Sequence, residues 1–139
     1  MFWLILALGA CASSQASAPD GIFLPRLDHA NDTWPAASIT GRLSEEHGCI
    51  LLETDSVGAP NEKVLLIWPD EATAVRTEMG ALRISINGAI VGDTGTQVQL
   101  GGGLIGERRY EVHQAETMIG EAIPDRCRAD GYRLTSGSA

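Results

Sequence analysis

The chain is poor in most of the residue types that announce a chemistry. Aromatic residues make up 5% of its 139 positions, and 10 basic residues face 18 acidic ones, for a formal net charge of -8. Affinity for a phosphate backbone comes from clustered Lys and Arg that release counterions, so this balance excludes a nucleic-acid partner. Only Arg108-Arg109 and the spaced pair Arg126 and Arg128 concentrate positive charge, and they read as solvated strand-edge and loop residues. No apolar run reaches the roughly 20 residues that a membrane-spanning helix needs. The three histidines occur without H-E-x-x-H or C-x-x-C spacing, and the serines without a G-x-S-x-G elbow. The length has room for one domain, which argues against an active site built between domains.

Where chemistry-bearing residues do gather, the ordinary reading competes with the functional one. Gly101-Gly102-Gly103-Leu104-Ile105-Gly106 satisfies the letters of G-x-G-x-x-G, but that motif works by pointing a helix N-terminus at a pyrophosphate inside a βαβ unit. Here Glu107-Arg108-Arg109-Tyr110 follows as loop and strand. No nucleotide and no other cofactor is implied, and the glycines read as a bulge or a close backbone approach. Asp28, His29 and Asp32 fall within five residues, His47 stands two before Cys49, and His113 ends a predicted strand. In loops this polar, solvated and turn-capping side chains are the expectation, and no metal site is assigned. Trp34, Trp68 and Tyr110 are the candidates for a ligand-binding surface, because barrel faces use exposed rings as stacking platforms. With so few aromatics in the chain, Trp68 reads first of all as a core residue.

The stretch Ala81 to Gly103 declares its structure most clearly. Leu82, Ile84 and Ile86 alternate with Arg83, Ser85 and Asn87, Asn87-Gly88 offers two residues tolerant of positive φ, and Val98 and Leu100 resume the alternation. That predicts a hairpin and a further strand. Ser38–Ser44 and Cys49–Glu53 read as strands, and Val64 to Trp68 reads as a central strand covered on both faces. Arg108–Val112 and Tyr132–Leu134 read as two more. Asp70–Met79 and Gln114–Glu121 read as short helical turns. The expected fold is all-β: a small antiparallel barrel, OB-like, or in the alternative a two-sheet β-sandwich, with one or two short helical turns. Residues 38–135 form this domain, 21–37 an irregular segment before it, and 136–139 a fraying tail.

The N-terminus carries its own signal. Phe2 to Ala10 are apolar or small, the length of a signal-peptide core, and Leu8-Gly9-Ala10-Cys11 with the polar tract Ala12 to Ser17 follows. This resembles the lipobox of bacterial lipoproteins, without the basic residue their leaders carry before the apolar run. The resemblance implies that residues 1–10 are a signal peptide, that Cys11 is acylated and becomes the new N-terminus, and that residues 11–20 form a lipidated tether. It implies a cell-envelope location; Ala12, rather than Asp, resembles lipoproteins sorted to an outer membrane, facing the periplasm or the exterior. The alternative is ordinary cleavage after Ala16-Ser17-Ala18, which would discard Cys11 and leave Pro19 first.

If Cys11 carries lipid, the other two cysteines are an even pair, and a Cys49–Cys127 bridge would staple an early strand to the end of the domain; two separate buried thiols are the alternative. Across residues 39 to 134, the fragments Gly41-Arg42-Leu43, Gly48-Cys49-Ile50-Leu51, Leu66-Ile67-Trp68-Pro69, Gly92-Asp93, Leu100-Gly101-Gly102-Gly103 and Pro124-Asp125-Arg126-Cys127 resemble a loose pattern of small exported bacterial domains. That resemblance implies an all-β secreted module with a cysteine pair and supplies no activity. The expectation is a noncatalytic binding or interaction module, held to the membrane by its anchor, with an envelope ligand or protein as partner. The rival is a small envelope hydrolase or metal-dependent enzyme using His29, His47 or His113 with nearby carboxylates.

Overall fold

The computed structural model describes residues 17–30, 34, 38–54, 62–101 and 111–138. Strand β1 spans Ser38–Glu46, with Gly41 and Leu43 buried between exposed Thr40 and Arg42. His47 and Gly48, at φ 54° and 78°, turn the chain in two residues, a geometry that matches the right-handed twist of the strands it joins. β2 (Cys49–Thr54) then returns along β1, and β3 (Glu62–Ile67) along β2. Val64, Leu66 and Trp68 belong to one apolar cluster and Leu65 and Ile67 to a second. The unbroken apolar run is thus a strand buried on both faces, as its sequence predicts.

A second sheet is built from β4 (Ala72–Arg76), β5 (Leu82–Ile86) and β6 (Ala89–Asp93) in that order. Asn87 and Gly88, at φ 51° and 80°, make the predicted hairpin turn. The helical turn expected within Asp70–Met79 is corrected to a strand. Ala72 and Ala74 are buried while Thr73 and Val75 are exposed, a period of two that pairing with β5 enforces over any local helical preference. β7 (Gln97–Gly101) crosses back to pair with β1.

Helix α1 spans Val112–Ile119. The expected strand ending at Val112 is corrected there: Val112 begins the helix, and positions 102–110 lie outside the described residues. The backbone N–H of Glu111 donates to Gln114 Oε1 (3.0 Å), Ala115 and Ile119 share the buried face, and Gly120 closes the helix in the left-handed conformation. After a 3-10 turn at Asp125–Cys127 come β8 (Gly131–Leu134) and β9 (Gly137–Ser138). β8 runs parallel to β3, a departure from the all-antiparallel expectation, and β9 pairs with β7. Gly137 and Ser138 therefore belong to a strand and not to a fraying tail. Ser17 also belongs to the domain, not to a tether, since its carbonyl accepts the Ala74 N–H (2.8 Å).

The architecture is all-β, as expected, with two sheets. The large sheet has the order β8-β3-β2-β1-β7-β9, and its two edge strands are consecutive in the chain, joined through Thr135 and Ser136 alone. Three Cα steps reach at most about 11 Å, so the sheet must curl until its edges approach each other. The concave side holds the first cluster, where Leu43, Ile50, Leu52, Leu66 and Leu100 meet Ala72, Ala74, Leu82 and Ile84 of the small sheet. On the other side of β2 and β3, Ala115 and Ile119 of α1 pack with Leu27, Ile123 and Tyr132.

Two predictions test this frame. A Cβ on Gly48 would stand 2.2 Å from the Gly21 carbonyl oxygen, whereas Gly88, at nearly the same φ, has open space around it. Gly88→Ala should cost about 1 kcal/mol for its conformation alone, and Gly48→Ala several times more, because the crossing segment must move; urea unfolding midpoints read both. Buried Thr135 donates its hydroxyl to the Gly101 carbonyl (3.1 Å) and accepts the Gly137 N–H (3.1 Å). Thr135→Val should lower stability by about 1–3 kcal/mol.

Candidate functional site

Among the sequence candidates, the cysteines converge. Cys49 at the start of β2 and Cys127 in the 3-10 turn form a disulfide, with Cα atoms 5.4 Å apart. In the chain-entropy model a bridge between residues 78 apart contributes on the order of 4 kcal/mol. The bridge sits in a junction of three segments. Phe23 N–H donates to the Gly48 carbonyl (2.8 Å) and Arg126 Nε donates to the His47 carbonyl (2.9 Å). His47 thus acts through its backbone, in a tight turn.

The other candidates do not converge. Trp68 is completely buried, and its backbone is held between Pro25, whose carbonyl accepts the Trp68 N–H (2.9 Å), and Leu27, whose N–H donates to the Trp68 carbonyl (2.9 Å). Trp68 is therefore the core residue the sequence indicated first, and its speculative ligand-binding role is corrected: it caps the apolar run of β3, and the N-terminal segment covers it. Trp34 is half-buried against the cluster beneath α1, while Tyr110 and Cys11 lie outside the described residues. His29 is exposed and its ring is bonded to Asp28. His113, also exposed, stands 3.6 Å from Glu116 on the next turn of α1. Among the described residues no three or more His, Cys, Asp or Glu side chains gather in a way that would hold a metal ion.

An open cleft of about 340 Å³ lies where the N-terminal segment meets the end of α1 and the start of β4. Its lining includes Arg26, Asp28, Asp70, Ile119 and Glu121. Arg26 is tied to the backbone there, its Nη1 donating to the carbonyls of Asp70 (2.9 Å) and Ala72 (3.4 Å). The guanidinium clamps the approach to β4, and Asp28, Asp70 and Glu121 share the cleft wall with Leu24, Leu27 and Ile119. Sequence reasoning passed over Arg26, Asp70 and Glu121. They stand 44 or more residues apart in the chain from one another's neighbourhoods, with no spacing that signals convergence.

The outward face of the small sheet is the other surface with definite chemistry. Across it Val75 registers with Arg83 and Arg83 with Asp93, while Thr73 registers with Ser85 and Ser85 with Ile90. Arg83 forks onto Asp93 (2.8 and 3.1 Å). Those hydrogen bonds are the largest influence on the Asp93 carboxyl and, helped by the guanidinium's charge, hold it below its ordinary value against the opposing effect of desolvation. Arg76 reaches from β4 to Glu45 of β1 (2.6 Å), and Lys63 pairs with Glu46 (2.5 Å).

A carboxyl whose value is depressed by folding contributes stability above its unfolded value, about pH 4, and loses it as pH falls through the lower folded value. Wild type should therefore exceed Asp93→Asn in urea midpoint at pH 7. The gap should close as the pH is taken below 4, and in molar salt it should shrink at every pH. No family model, no curated protein and no solved structure matches this chain.

Proposed function

We propose that this chain is a lipid-anchored module of the bacterial cell envelope, held through Cys11, with a noncatalytic binding or interaction role. The observation that carries the reading is the pairing of Cys49 with Cys127, which leaves Cys11 as the odd sulfur of three. Structural disulfides persist in oxidising compartments, and an exported chain with one unpaired cysteine directly after an apolar leader has a use for that thiol in acylation.

The N-terminal contacts support Cys11 over the alternative cleavage site. Ser17 bonds to β4 and Ala18 packs against the core, so a cut after Ala18 would strip away two residues that the domain uses. A cut before Cys11 spares them. More than one acyl chain on the cysteine gives stable attachment, where a single chain is marginal. The interaction role, facing the periplasm or the exterior from an outer membrane, rests on the scattered histidines and on a surface whose features are an open cleft of mixed lining and an apolar-dotted sheet.

The intact mass of the protein from membranes of a bacterium expressing the full chain tests this. The expected species lacks residues 1–10, carries acyl mass at its N-terminus and is two hydrogens short for the disulfide. A soluble species that keeps Met1, with all three thiols open to alkylation, would overturn the reading.

A further inference from the structure

Three large apolar side chains stand out in solvent among the described residues: Val75 at 54% exposure, Met79 at 93% and Ile90 at 59%. All three lie on the strands of the small sheet or on the turn that joins two of them. Val75 and Ile90 share its outward face, since Val75 registers with Arg83 and Ile90 with Ser85, two residues along β5; Met79 stands in the turn between β4 and β5. Exposed apolar residues scattered singly need no explanation. Here they are confined to one sheet, while the opposite pole of the molecule is covered by α1.

The same sheet receives the N-terminal chain. Ser17 bonds to Ala74, the residue next to Val75. From Cys11 to Ser17 is six Cα steps, which reach at most about 22 Å in any conformation. That is not much more than the length of a five-residue strand, about 17 Å. An acyl chain on Cys11 therefore keeps β4 near the lipid surface whatever the intervening residues do. The charges suit an uncharged surface: Arg83 and Asp93 neutralise each other, Arg76 is bound to Glu45, and Glu71 and Glu78 remain exposed at either end of β4.

We propose that the outward face of the small sheet docks on the bilayer, with Val75, Met79 and Ile90 entering the boundary between headgroups and acyl chains. The domain then stands with α1 directed away from the lipid. This inference rests on the anchor at Cys11 and adds to it a fixed orientation. An anchor alone holds a domain near the membrane without choosing which face meets it, and a few apolar side chains at the interface add the contact area that makes the choice.

The experiment uses the full-length protein purified from membranes and reconstituted in phosphatidylcholine vesicles that contain a phosphatidylcholine with a diazirine near the glycerol end of one acyl chain. After illumination, digestion and mass spectrometry report acylation of Cys11 and the position of lipid adducts in one sample. Expected are an acylated Cys11 and adducts on the peptides holding Val75, Met79 and Ile90 several-fold above those on the peptide holding α1. Because the three residues are exposed, the variant Val75→Ser, Met79→Ser, Ile90→Ser should fold and keep its acyl mass while its adducts fall to the α1 level. An acylated protein labelled evenly, or labelled on the small sheet to the same extent in the triple variant, overturns docking and leaves the anchor standing. An unmodified Cys11 overturns the anchor and the docking that rests on it.

Discussion

The two edges of the large sheet are one piece of chain. β8 pairs with β3 at one side, β9 pairs with β7 at the other, and Thr135 and Ser136 alone lie between them. So short a link cannot cross the width of a flat six-stranded sheet, where neighbouring strands stand about 4.8 Å apart. Curling is thus imposed by connectivity, and twist supplies its direction. The link is fastened where it turns: Thr135 N–H donates to the Ile67 carbonyl and Ser136 N–H to the Gly101 carbonyl, so the ends of β3 and β7 are tied through adjacent residues. A curled sheet has an interior to fill, and the small sheet fills it from the concave side.

The opposite side of β2 and β3 imposes a second demand. Cys49, Leu51, Leu65 and Ile67 point away from the barrel interior and are buried nonetheless, because α1, the N-terminal segment and the 3-10 turn cover them. Burying such side chains contributes about 1.5–3 kcal/mol each, but only with the cover in place. α1 has eight residues, too few to stand alone in water, and depends on that sheet face as much as the face depends on it. The disulfide holds the far end of the cover to the start of β2, while Phe23 and Leu27 hold the N-terminal part to Gly48 and Trp68. Gly48 stands under this crossing because any side chain would displace Gly21.

These two demands account for the uneven character of the surface. The N-terminal segment is consumed in covering Trp68 and the junction around Gly48, which keeps that ring off the surface. The small sheet has one face in the core and the other in solvent. Antiparallel sheets tolerate this arrangement, and here it places the exposed apolar side chains beside the residue at which the N-terminal chain joins the domain.

What was legible in the sequence was local. The alternation of Leu82, Ile84 and Ile86, the Asn87-Gly88 turn and the unbroken run Val64 to Trp68 each report the surroundings of a few adjacent residues, because side chains on a strand alternate faces and a two-residue turn demands particular backbone angles. The pairing of Cys49 with Cys127 was legible only as a count. Misread were segments whose period is decided by a distant partner. Ala72–Arg76 becomes a strand because β5 lies beside it. Val112 enters a helix because Ala115 and Ile119, further along, are buried on the outer side of the large sheet, where α1 meets β8. The parallel pairing of β8 with β3, the strand formed by Gly137 and Ser138, the cover that Pro25 and Leu27 place over Trp68 and the meeting of Arg26, Asp70 and Glu121 are contacts between residues far apart in the chain. No periodicity encodes them, since they follow from how the sheet closes on itself.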